Sequence, residues 1–387
     1  MGMDRLDWCS QPAQPLRGSV RVPGDKSVSH RALMLAAIAE GDSRIRGFLE
    51  GGDTLATAAV LAQLGVRIEA PSAGERLVHG VGLHGLRGSP QPLDCGNAGT
   101  GMRLLAGLLA GQAFDSTLMG DASLSKRPMR RVTDPLASMG ARIDTRDGLP
   151  PLHVHGGQSL RGIRYALPVA SAQVKSALLL AGLYAAGETD IIEPHPTRDY
   201  TERMLAAFGW PIEFEPGRAR LQGGHVLRAT DVEVPADFSS AAFFLVAASI
   251  VPGSALKLPA VGLNPRRTGL LQALRLMGAD ITIENQRESG GEPVGDLTVR
   301  HAPLHGIELP EAWVPDMIDE FPALFVAAAV ARGSTVVRGA AELRVKESDR
   351  IATMAAGLRT LGVAIEETPD GAIIQGGKLG AGSVDSH

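Results

Sequence analysis

The stretch VPGDKSVSHRALMLAAIAEG, Val22 to Gly41, opens on a turn and runs into a helix with almost no polar face. From Ala32 to Ala39 every residue is apolar: Ala, Leu, Met, Leu, Ala, Ala, Ile, Ala. A helix that is apolar all round is a buried one. Its first turn nevertheless carries Lys26, Ser27, Ser29, His30 and Arg31. The N-terminal end of a helix already holds positive partial charge, so cations there are unfavourable unless an anion is bound against them. The stretch therefore predicts a buried helix whose first turn meets a phosphate or carboxylate ligand.

The same pattern returns as LDCGNAGTGMRLLAGLLAGQAFDSTLMG from Leu93 and LPVASAQVKSALLLAGLYAAGETDIIEP from Leu167. It appears again as VPADFSSAAFFLVAASIVPGSALKLPAV from Val234 and VPDMIDEFPALFVAAAVARGSTVVRGA from Val314. Each copy ends in a second, amphipathic helix, a Gly and a strand: LGVRIE from Leu64, MGARID from Met139, FGWPIEF from Phe208, MGADITI from Met277, LGVAIEE from Leu361. The Gly is the expected helix stop. These units, spaced by roughly 70–80 residues, are longer than solenoid repeats. Each reads β-α-β-α-β with one buried and one half-exposed helix. A sixth unit should open near Val384, where the chain reads SVDSH and ends. The repeat thus predicts a chain cut at the first turn of a sixth unit.

At 387 residues the chain is long enough for two domains, each with a substantial core. Gly is abundant at 47 and aromatics make up only 4%, which favours closely packed helices. A net charge of −4 argues against a nucleic-acid partner. Cys9 and Cys95 form no CxxC pattern, and a reducing cytoplasm is the simpler setting. The N-terminus lacks the apolar core of a signal peptide. The longest apolar runs, Ala241–Val251 and Pro322–Ala331, are too short to cross a bilayer. A soluble, cytoplasmic protein is expected.

The residues that could carry chemistry fall at the first turns of the buried helices. Unit one offers Lys26, Ser27 and Arg31; unit two offers Asn97, Ala98, Gly99 and Thr100, with Arg103 one turn in. Unit three offers Ser171, Ala172, Gln173 and Lys175, and unit five Asp316, Asp319 and Glu320. Free backbone N–H groups at such ends bind anions, and a glycine lets a ligand approach the backbone closely. Capping by Ser, Asn or Asp would account for several of these singly. It does not account for Lys26 and Arg31. Two further cationic stretches join them, LSKRPMRRV (Leu124–Val132) and ELRVKESDRIATM (Glu342–Met354). By themselves these read as a solvated loop and a helix with paired charges.

Other motifs fail. GVGLHG at Gly80–Gly85 is not followed by a helix, so it is no dinucleotide fingerprint, and GDKS lacks the upstream Gly of a P-loop. His153 and His155 share one strand face without a third ligand. No Gly-x-Ser-x-Gly elbow is present. Neither a metal nor a cofactor is expected.

Taken together, PGDKSVSHRAL, GNAGTGMRLL, KRPM, SAQVKSALLLAG, PTRDYTE, NPRRTG, MIDEFPAL and RVKESDR resemble the 5-enolpyruvylshikimate-3-phosphate synthase family, from about Leu16 to His387. DKS, SAQxK and NPxRT are similar to the second of its two bacterial classes, and GNAGTGMR with Gly99 to the first. Tyr200 stands where the second-class pattern has His. The resemblance implies a two-domain inside-out α/β barrel of βαβαββ units, three in one domain and two plus a truncated third in the other. One domain would span residues 23–235, and the other 1–22 plus 236–387. It further implies transfer of the enolpyruvyl group of phosphoenolpyruvate to the 5-hydroxyl of shikimate 3-phosphate, by a monomer.

By motif, Lys26, Ser27, Arg31, Ser171, Ala172, Gln173, Arg198, Asp319 and Lys346 resemble the shikimate 3-phosphate site. Lys26, Asn97, Gly99, Arg127, Gln173 and Arg350 resemble the phosphoenolpyruvate site. Asp319 and Glu347 resemble the acid–base pair, with Asp319 taking the hydroxyl proton and Glu347 and Lys26 serving the methylene carbon. Gly99 would leave room for glyphosate, which mimics phosphoenolpyruvate in that family. The family's later DHRxAM motif and Lys do not occur in this sequence. The chain is therefore expected to bind shikimate 3-phosphate but to catalyse poorly alone. A non-catalytic chain needing a complementary fragment is the alternative. The sister UDP-N-acetylglucosamine enolpyruvyl transferases are less similar, because Ser27 follows the Lys and neither Cys lies in a matching loop.

Overall fold

The computed structural model describes residues 8–12, 14–346 and 348–385. Ten α-helices run through them: α1 (Lys26–Ala37), α2 (Gly52–Gln63), α3 (Gly99–Ala110), α4 (Arg130–Ser138), α5 (Ala172–Gly182), α6 (Tyr200–Ala207), α7 (Phe238–Ile250), α8 (Gly269–Leu276), α9 (Phe321–Val330) and α10 (Arg350–Thr360). The odd-numbered ones are the apolar helices of the five repeats. In α1 every residue from Val28 to Ala37 is buried, and in α5 every residue from Val174 to Gly182. Leu33 and Leu35 are almost fully enclosed, and burial of each is worth about 1.5–3 kcal/mol. The even-numbered helices bury one face only. Each closes on a glycine in the left-handed region: Gly65 (φ 92°), Gly140 (99°), Gly209 (79°), Gly278 (93°) and Gly362 (85°).

Outside the helices lie five sheets among the described residues. The second repeat shows the plan. Strand Leu93–Asp94 pairs in parallel with Ser116–Met119 across α3. That strand then pairs antiparallel with Leu149–His155, which forms a hairpin with Arg142–Arg146. The hairpin adds one strand to the pattern read from the repeat, giving βαβαββ. Helices face inward and sheets outward, the inside-out α/β arrangement.

The first and fourth repeats exchange their opening strands. Arg17–Ser19, ahead of α1, pairs with Ala255–Lys257 of the fourth repeat, whereas Val232–Glu233, ahead of α7, pairs with Ile45–Arg46 of the first. Between them the Asp25 N–H donates to the Pro235 carbonyl and the Asp237 N–H to that of Pro23, both at 2.8 Å. The chain passes twice through this junction. Apolar residues gather in two cores, one running from Val28 to Val234, the other holding Val22 and residues from Ala236 to Ile374. In the fifth repeat the opening strand is reduced to isolated parallel bridges, His305 with Arg332 and Glu308 with Val336. Helix α7 leaves Phe243 62% and Phe244 36% exposed. No described helix is long and apolar enough to cross a membrane.

Candidate active site

At the head of α1, Asp25 accepts from the Val28 N–H at 2.9 Å, and the Tyr200 hydroxyl donates to its other oxygen at 3.2 Å. Lys26 stays half exposed and pairs with Asp53, on the first turn of α2, at 3.2 Å. The next polar residues turn inward. Ser29 Oγ donates to the Asp25 carbonyl at 2.8 Å, and His30 Nδ1 lies 2.8 Å from Thr57 Oγ1. Burial brings the His30 pKa down to about 3, so its ring is neutral. Arg31 is buried and donates to Thr201 Oγ1 (2.7 Å), Ser176 Oγ (2.8 Å) and the Ser27 carbonyl (2.9 Å). Three of its five N–H donors are thus spent within the protein.

A second group forms where α3 and α5 begin. Gly99 is the first residue of α3, and the Ala98 cap offers no side-chain acceptor. A methyl group at Gly99 would stand 2.9 Å from Arg127 Nη1 and 3.3 Å from Arg103 Nη1. Asn97 accepts from Arg127 through Oδ1 and donates to Asp121 at 2.7 Å through Nδ2. Ser171 caps α5 by accepting from the Val174 N–H at 3.4 Å, and Ala172 and Gln173 open the helix. Gln173 is held from both ends, accepting from Arg103 at 2.8 Å and donating to Thr100 Oγ1 at 2.9 Å. Burial, reinforced by Arg127 and Arg131, brings the Arg103 pKa down to about 10. Among the described residues none of these three guanidiniums has a carboxylate partner. Two of them, Arg103 and Arg127, meet beside Gly99 at the first turn of α3, and like charges at a helix N-terminus define a place for an anion.

A third group centres on Asp319, two residues ahead of α9. Its Oδ2 accepts from Arg198 at 2.7 Å and from Arg267 at 2.9 Å; its Oδ1 accepts from Arg350 at 3.4 Å. Burial alone would raise its pKa, but Arg198, Arg267 and the more distant Lys346 outweigh it and hold the carboxyl well below the usual carboxylate range. The Arg198–Asp319 pair joins the first three repeats to the last two. Lys346 itself pairs with Glu342 at 2.7 Å. Glu347 lies outside the described residues.

The expected site residues therefore fall into three groups, with Lys26 at the head of α1 lying between Asp53 and solvent and in direct contact with neither the second nor the third group among the described residues. Two members have no place among the substrate-site residues expected from the sequence: Arg103, noted there only as lying one turn into the helix of unit two, and Arg267. Arg103 sits one turn inside α3, and Arg267 belongs to the NPRRTG stretch, so each lay in a motif already noted. His153 lies 3.0 Å from Thr117 Oγ1 and His155 pairs with Asp144 at 2.7 Å. Among the described residues no group of three His, Cys, Asp or Glu could hold a metal ion. A hollow of about 520 Å³ at the chain crossing, between Arg21–Gly24 and Gly47, contains none of the site residues.

A sequence profile of EPSP synthase (3-phosphoshikimate 1-carboxyvinyltransferase) matches residues 10–387. A 3-phosphoshikimate 1-carboxyvinyltransferase of Xanthomonas campestris pv. campestris (strain B100) is 72% identical over 381 residues, which is 98% of this chain and 87% of that protein. The one from Xanthomonas oryzae pv. oryzae (strain PXO99A) is 71% identical over 388 residues, spanning 88% of its length. Among solved structures, EPSP synthase from Acinetobacter baumannii is 55% identical with a TM-score of 0.88, covering 96% of this chain and 84% of that one. The enolpyruvyl transferase NikO from Streptomyces tendae shares the fold at 19% identity, with a TM-score of 0.75 over 94% of this chain and 83% of its own. These matches do not show a missing repeat, and they lend no support to the expectation of a non-catalytic remnant.

Proposed function

The chain belongs to the EPSP synthase family, and from that premise we propose how its cleft transfers the enolpyruvyl group of phosphoenolpyruvate to the 5-hydroxyl of shikimate 3-phosphate. Phosphoenolpyruvate lies against Asn97, Gly99, Arg127 and Gln173, with Lys26 and Arg350 closing on it and Arg103 behind. Shikimate 3-phosphate spans Ser27, Ser171, Ala172, Gln173, Arg198, Asp319 and Lys346, with Arg31 supporting from below. The observation that carries this reading is the pair of guanidiniums, Arg103 and Arg127, that flank Gly99 at the first turn of α3, with Arg103 bonded to Gln173 at the first turn of α5.

Protonation at C3 of the enolpyruvate makes C2 electrophilic and the 5-hydroxyl adds there as it gives up its proton; the tetrahedral adduct then loses a proton from C3 together with phosphate from C2, which restores the C2–C3 double bond. Asp319 takes the hydroxyl proton. Arg198, Arg267 and Arg350 suppress its basicity; a substrate anion that draws Arg198 away would restore it. Glu347 with Lys26 serves the methylene carbon. Preorganised cations offset the cost of desolvating two phosphates and two carboxylates. Residues 23–235 form one domain, and 1–22 with 236–387 the other. The enzyme works as a cytoplasmic monomer.

The test is phosphate release on mixing the chain with both substrates, repeated with Lys26→Met. Removing a charge-assisted contact costs on the order of 2–5 kcal/mol, so kcat/KM should fall at least thirty-fold. Turnover by Lys26→Met equal to that of the parent would refute the assignment of Lys26.

A further inference from the structure

One buried cluster plays no part in the site as described. Lys175, one turn into α5, is 2% exposed, and its Nζ lies 2.7 Å from both Glu193 and Glu202. Glu193 directly follows the strand Glu188–Ile192 and Glu202 lies in α6, so the ammonium ties three segments together. Glu193 also receives Thr197 twice, from its hydroxyl through Oε1 and from its N–H at 3.3 Å through Oε2. The residue after Thr197 is Arg198, whose guanidinium crosses to Asp319 at 2.7 Å. On the other side Arg31 bonds Thr201 and Ser176, the neighbours of Glu202 and Lys175. Two cations, Lys175 and Arg31, thus share an enclosed space with two carboxylates, Glu193 and Glu202.

We propose that Lys175, Glu193 and Thr197 are positioning residues for Arg198, fixing the segment that presents it to shikimate 3-phosphate. The inference rests on the reading of Arg198 as a ligand of that substrate. Stability alone is a poor reason for such a cluster, because well-packed apolar residues serve a core as well as buried ion pairs do. What the cluster adds is geometry. Glu193 is held on one side by an immobile ammonium and holds Thr197 on the other, so the backbone one residue from Arg198 cannot drift. A misplacement of about 1 Å in a positioned group can cost as much as a hundred-fold in rate or affinity.

Thr197→Val tests this while leaving the Lys175–Glu193–Glu202 contacts intact. The KM for shikimate 3-phosphate should rise about ten-fold, with kcat and the KM for phosphoenolpyruvate within two-fold and Tm unchanged; Thr197→Ser should restore the parent value. In an Arg198→Ala background, Thr197→Val should add nothing further. If Thr197→Val does not fold, Thr197→Ala gives the same readout with less demand on packing. An unchanged KM, no rescue by Ser, or an effect that simply multiplies with that of Arg198→Ala would overturn the positioning role alone. An Arg198→Ala enzyme with parental KM for shikimate 3-phosphate would overturn the ligand reading and this proposal with it.

Discussion

Glu292 opens a strand of the second core and lies 1% exposed against residues of the first, and replacing it with Gln isolates the effect of one buried proton. Its Oε2 accepts from Asn264 at 2.9 Å, and the same amide donates to Asp199 at 2.7 Å. Its Oε1 has no hydrogen-bond partner among the described residues. Burial, with the Asp199 and Asp25 carboxylates adding to it and Asn264 and Arg203 opposing, pushes the Glu292 pKa from 4.5 up to about 8. A carboxyl whose folded value is raised prefers its acid form in the folded chain. That preference stabilises the fold fully below pH 4.5 and is lost as the pH climbs toward about 8. Each tenfold step in proton affinity is worth about 1.4 kcal/mol, which bounds the loss at roughly 5 kcal/mol.

Glu292→Gln mimics the protonated acid at every pH, so parent and variant should unfold alike in acid. From pH 5 to pH 9 the variant should become progressively the more stable. Urea unfolding followed by circular dichroism at a series of pH values measures the gap directly, because other carboxylates contribute equally to both proteins. Parallel stability curves from pH 5 to 9, or a gap favouring the parent in alkali, would refute the reasoning.

Asp319→Asn should lower kcat by about 10²–10⁴-fold, the usual loss of a general base. The KM for shikimate 3-phosphate should not rise, since Arg198 and Arg267 are released to an incoming anion; initial-rate kinetics separate the two effects. Gly99→Ala places a methyl 2.9 Å from Arg127 Nη1 and should push that guanidinium aside, raising the KM for phosphoenolpyruvate a few-fold and the inhibition constant of glyphosate by more. A Gly99→Ala enzyme with both constants unchanged would show that Arg127 does not face the ligand. Phe243→Ser, at a position 62% exposed, should reduce aggregation measured by light scattering while leaving Tm within about 2 °C, as surface changes usually do.

Much of the fold was legible because its signals are local. The apolar run of α1, the Gly that ends each even-numbered helix and the recurrence of both are properties of short windows, and short windows are what a chain displays. The site was legible only in its helix-borne parts. Lys26 and Gln173 announce themselves as polar residues opening apolar helices, and Gly99 as a glycine at the same place in α3. Arg267 does not, because its role comes from Asp319, 52 residues away, and from an orientation that packing decides. The charge of Arg31 is plain in the sequence, but the turn of three of its donors to Thr201, Ser176 and the Ser27 carbonyl is not, since Thr201 lies 170 residues further on. The exchange of opening strands was equally silent, since Arg17–Ser19 is a strand of three exposed residues with no pattern to read.

That exchange has a consequence for how the protein is made. Leu16 N–H bonds Ser254 Oγ across 238 residues of sequence, and the strand beside it finds its sheet only when that later segment exists. At about 5–20 residues per second, translation leaves the strand waiting on the order of ten to fifty seconds. Throughout that time it is an unpaired edge, open to any other strand. The half synthesised first must likewise wait for Val232–Glu233 before its own sheet is complete. The halves therefore cannot fold as successive beads on a string. Trimming the N-terminus through Ser19 would injure the half that leaves the ribosome last.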